Sequence, residues 1–138
     1  MTAKAYLQQI YRLKVKIEQR AQQLEELKAS ASGFKAIDYS ADKVQASPSD
    51  RMADVVGRYT DLEDNINNMI GEYLYKKNFI ITQIHMMNDT RYIDLLYRRY
   101  VLFMPFRTIA KELNYDYKYC CRLHGKALRA FEKTYLNK

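Results

Sequence analysis

From Tyr6 the apolar side chains fall at Tyr6, Ile10, Leu13, Ile17, Leu24, Leu27 and Ala31, at intervals of 4, 3, 4, 7, 3 and 4. A strand would alternate by two, so this spacing admits only a helix, with Arg20 in the one vacant seam position. About four heptads in one register predict a single long helix with a coiled-coil seam. It is expected to stop near Ser32-Gly33, where glycine can supply a left-handed cap. Only 4 Gly and 2 Pro occur in 138 residues, which argues against a β-rich, turn-rich fold.

Residues 33–47 have no sustained period and read as a connecting loop. Ser47-Pro48-Ser49-Asp50 is a helix-start signal: Ser47 can cap, Pro48 suits the first helical position, and Asp50 can close a capping box. Behind it run Met52, Val55, Tyr59, Leu62, Ile66, Met69 and Tyr73, then Lys77, Ile80, Ile84 and Met87, and this helix is expected to reach Asn88. The two helices should fold back as a long antiparallel hairpin. The second would overhang the first, leaving the apolar residues between Tyr73 and Met87 in need of a partner. Asp89 can cap a third helix to about Leu102, and Pro105 can start a fourth. Asn114-Tyr115-Asp116 makes a turn, and Asp116 caps a fifth helix to about Tyr135. Tyr115, Tyr117 and Tyr119 alternate as a strand would, but the run is short and merges into helical spacing at Cys120, Leu123, Ala127 and Phe131. The expected fold is all-α: a coiled-coil-like hairpin over 1–88, serving oligomerisation or partner binding, and a three-helix helix-turn-helix domain over 89–138.

Charge divides along the same line. Residues 1–89 hold 12 Lys+Arg and 12 Asp+Glu, whereas residues 90–138 hold 11 against 4, so the whole net charge of +7 lies in the second segment. A neutral assembly module joined to a basic one implies a polyanionic partner. No stretch of about 18 apolar residues is present, and Met1 to Ile10 has no secretory core, so a cytoplasmic location is expected. Cys120 and Cys121 are adjacent and are not expected to bridge, which excludes a disulfide framework.

Between Phe106 and Gly125 the residues follow the logic of two helices crossing at a tight turn. Ile109 and Leu113 face inward, Ala110 is small at the crossing, and Asn114 tolerates the positive φ that the turn needs. Tyr115 then anchors the turn, and Cys120 and Leu123 bury the inner side of the second helix. Lys118, Arg122, Lys126, Arg129 and Lys133, spaced 4, 4, 3 and 4, form a cationic stripe on its other face. A helix apolar on one side and cationic on the other fits a DNA major groove and its flanking phosphates.

Several motifs resemble phage late-gene regulators of the RinA/ArpU type. They are Arg91-Tyr92-x-x-Leu95-Leu96-x-x-Arg99-Tyr100, Thr108-Ile109-Ala110-x-x-Leu113 and Arg122-Leu123-His124-x-x-Ala127-Leu128. Met1-Thr2-Ala3-Lys4-x-Tyr6-Leu7 and Val44-Gln45-x-Ser47-Pro48 extend the likeness over nearly the whole chain. The C-terminal part is similar to the region-four helix-turn-helix of bacterial sigma factors. That resemblance implies base-facing positions at Tyr117, Lys118, Cys121 and Arg122. Backbone contacts are expected from Arg107, Lys126, Arg129 and Lys133. Sigma factors usually carry charged residues at the positions of Tyr117, Tyr119 and Cys121, so the resemblance carries over the fold and not the promoter sequence.

Other constellations have plainer readings. Cys120, Cys121 and His124 fall short of the four ligands of a structural zinc site, and His85 lies in another helix. Asp61, Glu63 and Asp64 sit in ordinary heptad spacing and read as a solvated face. Gly125 inside a helix suggests close approach of DNA or of a neighbouring helix. No nucleophile–base set or phosphate loop appears, so neither an enzyme nor a cofactor is expected. The reading is a sequence-specific double-stranded DNA-binding transcription regulator, a phage- or prophage-encoded activator of late genes, homodimeric or higher. Its rivals are a sigma-like subunit acting through host RNA polymerase and a structural helical adaptor.

Overall fold

The computed structural model describes residues 1–37 and 48–137, and every described element is helical. Thr2 opens the first helix, α1 (Ala3–Leu7), by accepting from the Ala5 N–H at 3.2 Å. A one-residue break at Gln8 separates it from α2 (Gln9–Ile37). There the Tyr6 carbonyl accepts instead from the Gln9 side-chain amide at 3.0 Å. The expected stop at Gly33 is not found, since α2 runs through it to Ile37. A lone glycine costs a helix about 1 kcal/mol, which does not force an end by itself.

The next helix, α3 (Pro48–His85), begins with proline in the first turn and Asp50 beside it, as the start signal requires. The expected Ser47 cap lies outside the described residues. Its apolar seam is the buried edge, with Val55, Ile66, Ile80 and Ile84 buried and Met52, Tyr59, Leu62, Met69 and Tyr73 partly so, and the helix ends at His85, short of the expected Asn88.

Asp89 caps α4 (Thr90–Tyr100) by accepting from the Arg91 N–H. A connection then leads to α5 (Phe106–Leu113), which follows Pro105. Asn114 ends α5 in the left-handed conformation, at φ 58° and ψ 40°. The Tyr115 N–H reaches the Ala110 carbonyl at 2.8 Å and the Asn114 N–H the Lys111 carbonyl at 3.3 Å, a Schellman cap. Asp116 caps α6 (Tyr117–Phe131) by accepting from Lys118 N–H. The chain then widens into a π-helical turn over Glu132–Leu136.

Contact between these elements does not divide the chain at residue 88. One compact unit joins Met1–Lys14 to Tyr73–Lys138, and the other is Val15–Glu72. The first unit holds two apolar clusters. In one, Ala3, Leu7 and Ile10 meet Ile80 and Ile84 of α3, Leu96, Tyr100 and Val101, and Ala127 and Phe131 of α6. In the other, Leu95, Ile109, Ala110, Cys120 and Leu123 pack α4, α5 and α6 together. The apolar end of α3 therefore finds its partner inside the chain. Within this unit α1–α2 and α3 run in opposite senses: the Tyr6 hydroxyl donates to Gln83 Oε1 at 2.6 Å, and Lys76 to Gln9 Oε1 at 3.2 Å. In the second unit Lys28 of α2 lies 3.6 Å from Glu63 and over the Tyr59 ring of α3. No described helix is long and apolar enough to cross a membrane.

Candidate functional site

The three-residue turn and its two caps fix α6 against α5, and the buried row Cys120, Leu123, Ala127 and Phe131 fixes which way α6 faces. Each of those four is at most 2 % exposed, so the opposite side is turned outward. Tyr117, Lys118, Cys121, Arg122, Lys126 and Arg129 are all exposed there, and Lys133 is exposed on the π-helical continuation. Arg107 is exposed on the first turn of α5. Its guanidinium lies 4.7 Å from the centre of the Tyr117 ring, so these two residues from different helices form one unit.

Of the four carboxylates between residues 90 and 138, three are occupied elsewhere, and the fourth is Glu132 beside Lys133. Asp94 and Glu112 both hold Arg98, at 2.8 and 3.0 Å, tying α4 to α5. Asp116 is the cap of α6. Among the described residues no carboxylate pairs with Arg107, Lys118, Arg122, Lys126, Arg129 or Lys133. The outward face therefore keeps its positive field.

Gly125 lies among Lys118, Cys121, Arg122 and Arg129 on that face. A Cβ built there would meet only an Arg129 guanidinium nitrogen, at 3.6 Å. No neighbouring helix approaches, so the glycine is not required by packing inside the chain.

The frame behind α6 is polar as well as apolar. Tyr100 Oη is 2.7 Å from His124 Nε2, and Phe106 meets the same imidazole edge-on at 4.7 Å. Burial, together with the charges of Arg99 and Lys4, pushes the His124 pKa down to about 4. The ring is thus neutral near pH 7 and able to accept from the Tyr100 hydroxyl, whose own pKa burial pushes up to about 12. In the first turn of α6, the Tyr119 hydroxyl accepts from Arg91 at 2.9 Å while Arg91 clasps Asp89. That arrangement holds the Asp89 carboxyl below its usual range.

Sequence spacing placed the stripe but not these frame contacts, which join residues far apart in the chain. The packing of α1 on α6 was likewise unannounced, because heptad spacing shows which residues are buried and not against what. Cys120 is buried and Cys121 exposed, and no group of three or more His, Cys, Asp or Glu among the described residues is placed to hold a metal ion. No protein-family model, curated protein or solved structure matches the chain.

Proposed function

We propose that the chain is a double-stranded DNA-binding transcription regulator of the phage late-gene type, in which α5, the turn and α6 form a helix-turn-helix. The observation that carries this reading is the outward face of α6, cationic along its length and free of paired carboxylates. In this reading α6 enters the major groove. Tyr117, Lys118, Cys121 and Arg122 face base edges, while Arg107, Lys126, Arg129 and Lys133 hold phosphates. The antiparallel pairing of α2 and α3 belongs to the same proposal, as the assembly element of a homodimer or larger oligomer in the host cytoplasm.

The test is duplex binding across a salt series with the whole chain. Released counterions should make log affinity fall linearly with log salt, steeply if six to eight phosphates are neutralised. Affinity that is flat between low and physiological salt removes the proposal and leaves the adaptor. A second reading, a subunit acting through host RNA polymerase, is favoured by one observation. Tyr75 and Phe79 stack at 6.4 Å on an outer side of α3, with Met86 beyond them, and all three are exposed. A monomeric mass by sedimentation at tens of micromolar would favour that subunit over the oligomer.

A further inference from the structure

Outside the α6 face, the first unit has a cleft of about 310 Å³ lined by Gln8, Tyr11, Arg99, Tyr100 and Phe103. Its composition is unlike that of a packing gap. Two phenol rings and a phenyl ring supply flat apolar walls, Gln8 an amide, and Arg99 a permanent cation. Tyr11 and Phe103 meet edge-on at 5.3 Å, and the Lys14 ammonium lies 5.6 Å from the Phe103 ring centre. Arg99 is held in place on two sides: it donates to the Met104 carbonyl at 3.0 Å and lies 4.3 Å over the Phe106 ring.

The backbone adds a separate observation. Phe103 adopts φ 59°, and Asn114 is the only other described non-glycine residue with positive φ. Asn114 needs that conformation to close a helix cap, and asparagine tolerates it. A bulky phenylalanine there is strained by roughly 1–2 kcal/mol, and such strain collects at sites where a side chain must be aimed. The strained residue is one wall of the cleft.

The geometry points to a nucleotide-binding cleft between the start of α2 and the α4–α5 connection, taking a base against the exposed Tyr11 ring and a phosphate at Arg99. Aromatic walls recognise the face of any base, Gln8 can pair with a base edge, and the guanidinium matches phosphate oxygens. The volume lies at the lower end for small-ligand sites and suits a mononucleotide. The inference does not rest on duplex binding by α6. The nucleotide could be free or belong to an unpaired strand, and the chemistry of recognition is the same.

The probes are AMP, GMP, CMP and UMP, with adenosine and inorganic phosphate as half-ligands and a short single-stranded oligonucleotide as the second source. Binding to the whole chain is read by calorimetry and by NMR shifts of the Tyr and Phe rings. A mononucleotide should bind at least tenfold more tightly than either half-ligand. Tyr11→Ala and Gln8→Ala, both at exposed positions, should each weaken it, the former about tenfold. Arg99→Gln should abolish the advantage of nucleotide over nucleoside. Oligonucleotide binding that is tighter than the mononucleotide's and falls in Tyr11→Ala assigns the source to a strand, and oligonucleotide binding that is no tighter assigns it to a free nucleotide; either supports the cleft. Failure of all four mononucleotides and the oligonucleotide to bind at 10 mM, or binding unchanged in both Tyr11→Ala and Gln8→Ala, overturns it. Arg122→Ala should leave nucleotide binding intact, so a failure of the duplex reading is told apart from a failure here.

Discussion

The two compact units differ in charge and in how much they bury. Met1–Lys14 with Tyr73–Lys138 carries 16 Lys+Arg against 5 Asp+Glu, a net +11, whereas Val15–Glu72 carries 7 against 11, a net −4. A cut at residue 89 had hidden this, because it grouped the cations of the first turns and of the end of α3 with the acids between them. Among the described residues, the fully buried large side chains all lie in the basic unit, whereas those buried in the acidic unit are Ala31, Val55 and Ile66. Two helices share a single seam with water on both flanks. A third and a fourth element packed across it, as α1, α4 and α6 are in the basic unit, can close a core. The cationic face of α6 thus stands on the unit with the closed core, and the acidic unit carries the opposite net charge.

The comparison breaks first at the cores. Phe131 is wholly buried where α1, α3 and α6 meet, so Phe131→Ala should cost about 3–5 kcal/mol. Ile66→Ala in the half-solvated seam should cost about 2 kcal/mol or less. Urea unfolding midpoints of the two variants decide the matter, and equal losses would mean that the units are equally well packed.

Next comes His124. Its folded pKa of about 4 lies below the ordinary value of 6.5, so the folded state binds fewer protons than the unfolded one between those limits. This contribution to stability is fully present above pH 6.5 and is lost as pH falls toward 4. After allowance for partial exposure it amounts to roughly 2 kcal/mol. His124→Gln should flatten that part of the stability curve, and NMR titration of the ring reads the pKa directly. A ring titrating near 6.5 would mean that the frame behind α6 is solvated.

Within the cationic face, Arg122 and Lys133 should part company. Arg122→Ala should lose about 1–3 kcal/mol on a specific duplex and relax preference at one base pair. Lys133→Ala, on the π-helical end, should weaken all duplexes alike and lower the salt slope by about one. Equal losses on specific and scrambled duplexes would reduce α6 to a cationic surface.

The smallest effect is at Gly125. With only a flexible guanidinium 3.6 Å from the added Cβ, Gly125→Ala should stabilise the fold by up to about 1 kcal/mol. If a duplex approaches the helix backbone there, the same variant should bind DNA less well. Unchanged DNA affinity would put the groove elsewhere.

Sequence alone determined the helices, because helix period, caps and turn chemistry are local. Asp89, Asn114 and Asp116 act within a few residues of themselves, and the seam and the outward stripe follow from spacing along one helix. Locality also explains Gly33, which permits a helix stop without requiring one, so that α2 runs on to Ile37. Tertiary structure alone decided which surfaces meet. It placed α1 against α6, supplied the partner for Ile80 and Ile84, buried His124 beside Tyr100 and strained Phe103 into the cleft wall. Apolar burial is non-directional, so a pattern of spacing can show that a face must be covered without specifying the residues that cover it.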